Sequence, residues 1–413
     1  MSPEKTLLEL TQCIHFRAPP GIQVYRHEFL TRGVVMTLWK TDRSRELLRE
    51  LAETVRSTGP RLATGDVRTF SGAIDTVIGD RLMDPRYFNV PVSLAGTLFD
   101  ALTPGSGEAL ASVLWREILS ACEKALGGWL TIYPLRKVAT SGALVLGNVR
   151  LLPADDGACW AMLRARFKFI DRFKPQFGFF DTGGEGYGFK VPVAAYLVAE
   201  NSGSSPEALE QSARLMRRLL AVIVALRHPE HPNQVTKSAA EAETSAFQLS
   251  DGQEGRLQFL SIGEIFPPLL NTFKCDVALL AAVGDWHRKC DTAGADKRER
   301  AHKAAEHLHR AFVSDRVAKF LNAFIVLDSL FGERNQVKAR IVDGAKRVFP
   351  ADATWPERAA LLFELRSTLA HGVIAEFRDW ARLPEYTTRF KSDPTTDAWE
   401  ISTTALANYF DLP

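Results

Sequence analysis

The stretch LFELRSTLAHG, which begins at Leu362, carries Arg366 and His371 in an Arg-x4-His arrangement. An imidazole titrates near neutral pH and can move protons, and a guanidinium offers a planar fork of donors that matches phosphate oxygens. The two together suit acid–base chemistry on a phosphodiester in which the substrate's own 2′-OH attacks. Such a reaction needs neither a metal nor an activated protein nucleophile. On an ideal helix the two side chains lie roughly 140° apart, so one unbroken helix cannot aim both at one phosphate. Either the helix must end at Gly372 or a second copy of the chain must complete the site.

The element that positions them is expected to be a helix over 355–371. Thr354 followed by Glu357 predicts a capping box, Pro356 falls in the first turn where its missing N–H is harmless, and Gly372 supplies a stop. Leu362, Leu365 and Leu369 then share one face, with Arg366 inside or beside the same apolar arc. A guanidinium pressed toward a core needs an acidic partner, because an unpaired buried charge costs several kcal/mol. The segment RVAKFLNAFIVLDSLFG over 316–332 offers one. Val317, Leu321, Phe324, Asp328 and Phe331 fall on one stripe at helical spacing, and the expectation is that the two helices pack with Asp328 answering Arg366.

Composition sets the frame. With 413 residues, 46% hydrophobic and 24% charged, the chain is long enough for two globular domains, and a net charge of +2 does not select a partner class. The five cysteines, Cys13, Cys122, Cys159, Cys275 and Cys290, are scattered and never form a Cys-x-x-Cys pair. That suits a reducing compartment, without a disulfide framework or zinc ribbon. The N-terminal MSPEKTLLEL has no signal-peptide run and no stretch of about 20 apolar residues occurs, so a cytoplasmic protein with no membrane partner is expected.

Along the chain, a strand is expected at 33–40, a helix at 43–56 and an irregular or β-rich region at 65–102. A helix follows at 108–126, then strands at 129–135, 143–152, 160–170 and 189–199, a helix at 206–227, a linker at 228–244, and strands at 245–249 and 256–262. Beyond Gly263 the signals are helical: 265–273, 276–288, 296–313, 316–331, 336–349, 355–371 and 398–412. The reading is an α+β domain at 1–262, with a sensor or regulatory role, followed by an all-α bundle at 263–413.

Other candidates point more weakly to chemistry. His302, Glu306 and His309 share a helix face and could hold a metal with His287 or Cys290, but without a His-Glu-x-x-His pattern a solvated face is favoured. The Gly-rich 182–188 (TGGEGYG) lacks the Gly-Lys-Ser/Thr of a P-loop and reads as a loop that could cover a ligand. Arg214, Arg217 and Arg218 could line the solvent face of their helix or touch phosphate, and the solvent face is the favoured reading. The basic residues over 289–316, which include Arg298, Lys303 and Arg310, have acids interspersed and read as a solvated face rather than a nucleic-acid patch. No cofactor and no metal are expected.

Three segments in order, AFIVLDSLF with Asp328, then ERNQVKARIVDGAKRVF, then LFELRSTLAHG, resemble the Apea-like branch of the HEPN superfamily, over roughly the last 120 residues. The resemblance implies a four- or five-helix bundle that forms a homodimer and, in many members, cuts RNA without a metal at a site made from two Arg-x4-His motifs. Carried over, Arg366 and His371 would be catalytic and Asp328 the supporting acid. Many catalytic members have Asn, Asp or His after the arginine, whereas this chain has Ser367. The expected function is a metal-independent endoribonuclease of a toxin or anti-phage defence system. Its partners would be RNA and a second copy, with a regulatory protein or ligand at the N-terminal domain. The alternative is a non-catalytic HEPN dimerisation module with a ligand- or partner-binding N-terminal domain.

Overall fold

The structure is a computed structural model. It describes the chain apart from residues 1, 32–33, 82–83, 85, 89–95, 182–186, 189–191, 228–244, 252–256, 262–264, 266–271 and 413, and apart from the side chains at 29–31, 34–36, 187–188, 245 and 260–261. It is a mixed α and β protein with a sheet-containing region and a helical C-terminal part. Packing groups the chain into two compact units, Met1–Trp129 with Asn201–Leu209, and Leu130–Glu200 with Glu210–Pro413. Among the described residues no helix is long and apolar enough to cross a membrane.

The first unit is built on helices α1 (Pro3–Gln12), α2 (Asp42–Ser57), α3 (Val67–Arg81) and α4 (Gly107–Ala125), with an antiparallel sheet ordered Ile14–His15, Val34–Thr41, Val24–Thr31. α2 shows why such a segment folds. The Thr41 side chain caps it by accepting from the Ser44 N–H at 3.3 Å, and Leu47, Leu48, Leu51, Ala52 and Val55 recur on one buried face. α3 corrects the expectation of irregular or β structure at 65–102. Gly72 and Gly79 dilute its helix propensity, but Phe70, Ile74, Val77 and Ile78 share a buried face. Asp66 caps it, accepting from the Thr69 N–H at 2.9 Å and from the Ser204 hydroxyl at 2.6 Å.

The second unit contains a six-stranded sheet ordered Leu257–Ser261, Ser245–Ser250, Gly127–Leu135, Ala195–Gly203, Val149–Pro153, Leu144–Leu146. The strand expected over 143–152 is a hairpin instead. Gly147, at φ +55°, turns the chain between its arms, a conformation that costs glycine little. The strand expected at 160–170 is helix α5 (Gly157–Arg166) followed by a 3-10 turn at Lys168–Arg172. Its apolar run concealed helical spacing: Trp160, Leu163, Phe167 and Ile170 are buried, and the Asp156 carboxylate caps the Cys159 N–H at 2.9 Å. These residues cover an aromatic cluster in which Phe173 stacks on Phe180 at 4.7 Å and Trp160 meets Tyr196 edge-on at 5.3 Å.

α6 (Ser205–Arg227) follows the sheet's Ala195–Gly203 strand, and the C-terminal helices are α7 (Val277–Thr292), α8 (Ala295–Val313), α9 (Arg316–Phe331), α10 (Val337–Val348), α11 (Trp355–Ala370), α12 (Leu383–Phe390) and α13 (Pro394–Asn408). The helix expected at 265–273 lies mostly outside the described residues, and Phe273–Cys275 is a short strand running parallel to Val138–Thr140. All regular elements after Cys275 are helical. The compact units are nevertheless grouped differently from the expected 1–262 and 263–413 division, since the sheet packs in one unit with α7–α13. Sequence texture marks where strands stop, not where packing breaks: the His309 imidazole on α8 hydrogen-bonds the Ile265 carbonyl oxygen at 2.6 Å.

Candidate functional site

α11 ends where the sequence places its stop. The His371 N–H donates to the Ser367 carbonyl at 3.1 Å, the Gly372 N–H to Leu369 at 3.1 Å and the Val373 N–H to Thr368 at 2.9 Å, with Gly372 left-handed at φ +70°. Its start differs from the expected capping box. Thr354 makes no side-chain cap and Glu357 pairs with Arg389 at 2.5 Å. The Thr354 N–H and hydroxyl donate instead to Asp352, at 2.9 and 2.7 Å.

Arg366 lies in the helical arc of Trp355, Ala359 and Leu362, all buried, and is itself half-buried. His371 is exposed at the C-cap, beside Val373, which is 72% exposed. The expected Asp328–Arg366 ion pair is not formed, and among the described residues neither side chain has an ion-pair partner. The reason lies in α9, which is apolar almost all round, so that spacing alone could not choose its buried face. The core takes Phe320, Ala323, Phe324, Leu327 and Leu330, while Val317, Leu321 and Asp328 lie half-buried at the edge. Asp328 sits beside the Gly332 turn, whose N–H donates to its backbone carbonyl at 2.8 Å, and its charge acts on His307 of α8.

A buried arginine–carboxylate pair between α11 and a neighbouring helix does exist, on other residues. Arg358 donates to Asp397 at 3.2 Å with side chains 16% and 1% exposed, and Tyr386 donates its hydroxyl to the same carboxylate oxygen at 2.6 Å. Burial, then the Asp397 charge, push the Tyr386 phenol well above its ordinary range. Arg358 falls in the same apolar arc as Leu362 and Leu369, a signal available in the sequence. Asp397 lies in the first turn of Pro394–Asn408, a helix expected from the sequence only from 398.

The second set of candidates on α7 and α8 separates. His302 Nε2 lies 3.5 Å from Cys290 Sγ, whereas Glu306 takes the Arg218 guanidinium at Nε and Nη2, 2.8 and 2.5 Å away. His309, expected on a solvated face, is 2% exposed and bonded to Ile265. Arg217 and Arg218 likewise leave the expected solvent face. Burial lowers the Arg217 pKa, aided by the nearby Arg310, and Arg218 is only 24% exposed in its ion pair. Burial pushes the Cys290 thiol up to about 11, which opposes thiolate chemistry or metal ligation there. Among the described residues no group of three or more His, Cys, Asp or Glu side chains could hold a metal. The Gly-rich 182–188 falls largely outside the described residues.

Chemically, the bare end of α11 offers a solvent-facing imidazole and an unmatched guanidinium on a helix held at its other end. Comparison with known proteins finds no matching family model, no matching curated protein and no matching solved structure.

Proposed function

We propose that the chain is a metal-independent endoribonuclease that uses Arg366 to bind the scissile phosphate and His371 to move a proton during attack of the 2′-OH. The observation that carries this reading is that Arg366 is half-buried in an apolar arc and yet has no acidic partner among the described residues. A guanidinium in that setting is completed by an anion, and a phosphodiester is a bidentate one. The resemblance of the AFIVLDSLF, ERNQVKARIVDGAKRVF and LFELRSTLAHG segments to Apea-like HEPN domains supports the same assignment. It also supports a homodimer in which two α11 ends supply one site, which would answer the roughly 140° between the two side chains. Asp328 then acts on the site from its edge, not through a salt bridge to Arg366. A toxin or defence role is the setting in which such an activity would be used.

The test is incubation of purified protein with total RNA in EDTA. Products ending in 2′,3′-cyclic phosphate are expected from the wild type and none from Arg366→Ala or His371→Ala, both of which should retain the wild-type circular dichroism spectrum. Equal cleavage by wild type and both variants would remove the assignment. The missing Asp328–Arg366 pair favours the second reading, a non-catalytic bundle, and RNA left intact by a confirmed dimer would select it.

A further inference from the structure

A cavity of about 660 Å³ lies in the second unit between α6, α7, α8 and the Leu144–Pro153 hairpin. This is within the roughly 300–1,000 Å³ usual for small-molecule sites. Its lining mixes the apolar Val145, Val149, Leu215, Val222 and Ala305 with the polar His287, Asn148, Thr292 and His302. A second hollow of about 430 Å³ shares Arg218 and His302 with the first and adds Arg214, Arg298 and Lys303. Together the two are lined by five cationic side chains and three carboxylates.

Among the described residues, the exposed Asp291 and Asn148 side chains of this lining have no partner, and two less exposed groups lack one as well. The His287 Nε2 is buried with no hydrogen-bond partner, and burial lowers its imidazole to about 4, so it stands neutral, able to donate or accept. Arg298 is half-buried and, unlike Arg218, Arg214 and Lys303, has no acidic partner among the described residues. A cation without a counter-charge in the adjoining hollow, with apolar side chains and an unsatisfied neutral imidazole in the cavity, describes a ligand with a charged end and an uncharged, hydrogen-bonding body.

We infer that this cavity, together with the hollow that shares Arg218 and His302 with it, binds an organic phosphate of mononucleotide size, with its phosphate at Arg298 in the hollow and its body among Leu215, Val222 and His287 in the cavity. Binding there joins the sheet's edge hairpin to α7 and α8, so the site lies where a ligand could bear on the helical part of the same unit. The inference does not rest on RNA cleavage, since its readout is binding.

Gly284 on α7 provides a clean block. It lines the cavity, and a Cβ built there meets nothing within 4 Å. Leucine at this position has room for its Cβ, adds bulk to the cavity lining and raises helix propensity. The experiment is equilibrium dialysis of the full chain against radiolabelled AMP, GMP, CMP or UMP, with the parent nucleoside, inorganic phosphate and a 20-nucleotide RNA as competitors. The expected result is that at least one nucleotide binds roughly tenfold or more tighter than either fragment, and that Gly284→Leu and Arg298→Glu each weaken it by roughly tenfold or more, while Tm is unchanged or raised in Gly284→Leu. If Gly284→Leu does not fold, Arg298→Glu alone decides. Absence of nucleotide binding, equal binding of inorganic phosphate, better competition by the RNA, or binding unaffected by the substitutions would each overturn the proposal.

Discussion

Arg358 is the side chain through which α11 is tied to the core, and replacing it with methionine is expected to destabilise the second unit by roughly 3–5 kcal/mol. The magnitude follows from what is left behind. Asp397 is 1% exposed and its Oδ1 already has no hydrogen-bond partner, so its charge is neutralised mainly through Oδ2, by Arg358 at 3.2 Å and the Tyr386 hydroxyl at 2.6 Å. Removing the guanidinium strands a buried carboxylate, the costly half of any buried pair. The substitution also removes the cation from over the Trp355 and Phe390 rings, each 5.0 Å away. The assay is urea unfolding followed by tryptophan fluorescence, where a loss of this size moves the midpoint by roughly 1–2 M for a slope near 3 kcal/mol/M. Asp397→Asn should cost less, because it removes the stranded charge. The combined Arg358→Met, Asp397→Leu and Tyr386→Phe variant should recover most of the loss, since replacing a whole buried pair by apolar groups is often neutral. A shift below about 0.5 kcal/mol for Arg358→Met would refute the reasoning, as it would mean that water already compensates Asp397.

The second unit should also lose stability in mild acid. Burial lowers His309 from 6.5 to about 4, so between these values the unfolded chain binds the extra proton, and stability falls as pH drops through that window and is flat above it. For this group the loss is about 2 kcal/mol at pH 5 relative to pH 7, read as a lower urea midpoint; equal midpoints would count against it. Gly372→Ala should cost roughly 1–2 kcal/mol through its φ of +70° alone, since a Cβ there touches nothing within 4 Å. No change in thermal unfolding would show that the end of α11 adjusts freely.

Long helices were legible in the sequence. α2, α4, α8, α9 and α11 appear within a few residues of the expected spans, because burial on one face and a polar or glycine terminus state themselves locally. What failed was short or ambiguous. The run from Trp160 to Ile170 is apolar enough to pass for a buried strand, and only the Asp156 cap and the buried quartet reveal a helix. α12 is eight residues long with Pro384 in its first turn, too short for periodicity to register. α1 starts under a Ser2 cap with proline at its first position, and that signal was readable but overlooked. On α9 the helix was right and its buried face was wrong, since nearly every side is apolar.

The error over Asp328 bears on how the candidate site works. The premise, that an arginine within an apolar arc of α11 must meet a carboxylate, holds at Arg358 and fails at Arg366, eight residues further along the same helix. Arg358 lies where α12 and α13 close over the helix, with Tyr386 and Asp397 as its neighbours. Glu364 in the middle is shared by Lys338 of α10 and Arg382 before α12, at 3.2 and 2.8 Å. Past that point Leu365 and Leu369 remain buried, Ala370 and His371 are exposed, and Arg366 is half-buried without a counter-charge among the described residues. The same helix is thus pinned at its beginning and bare at its end. Under the proposed function, two copies of this helix end would each supply a cation without a counter-charge and an accessible imidazole, and the pinned beginning of the helix lowers the ordering that a bound phosphate would still have to impose.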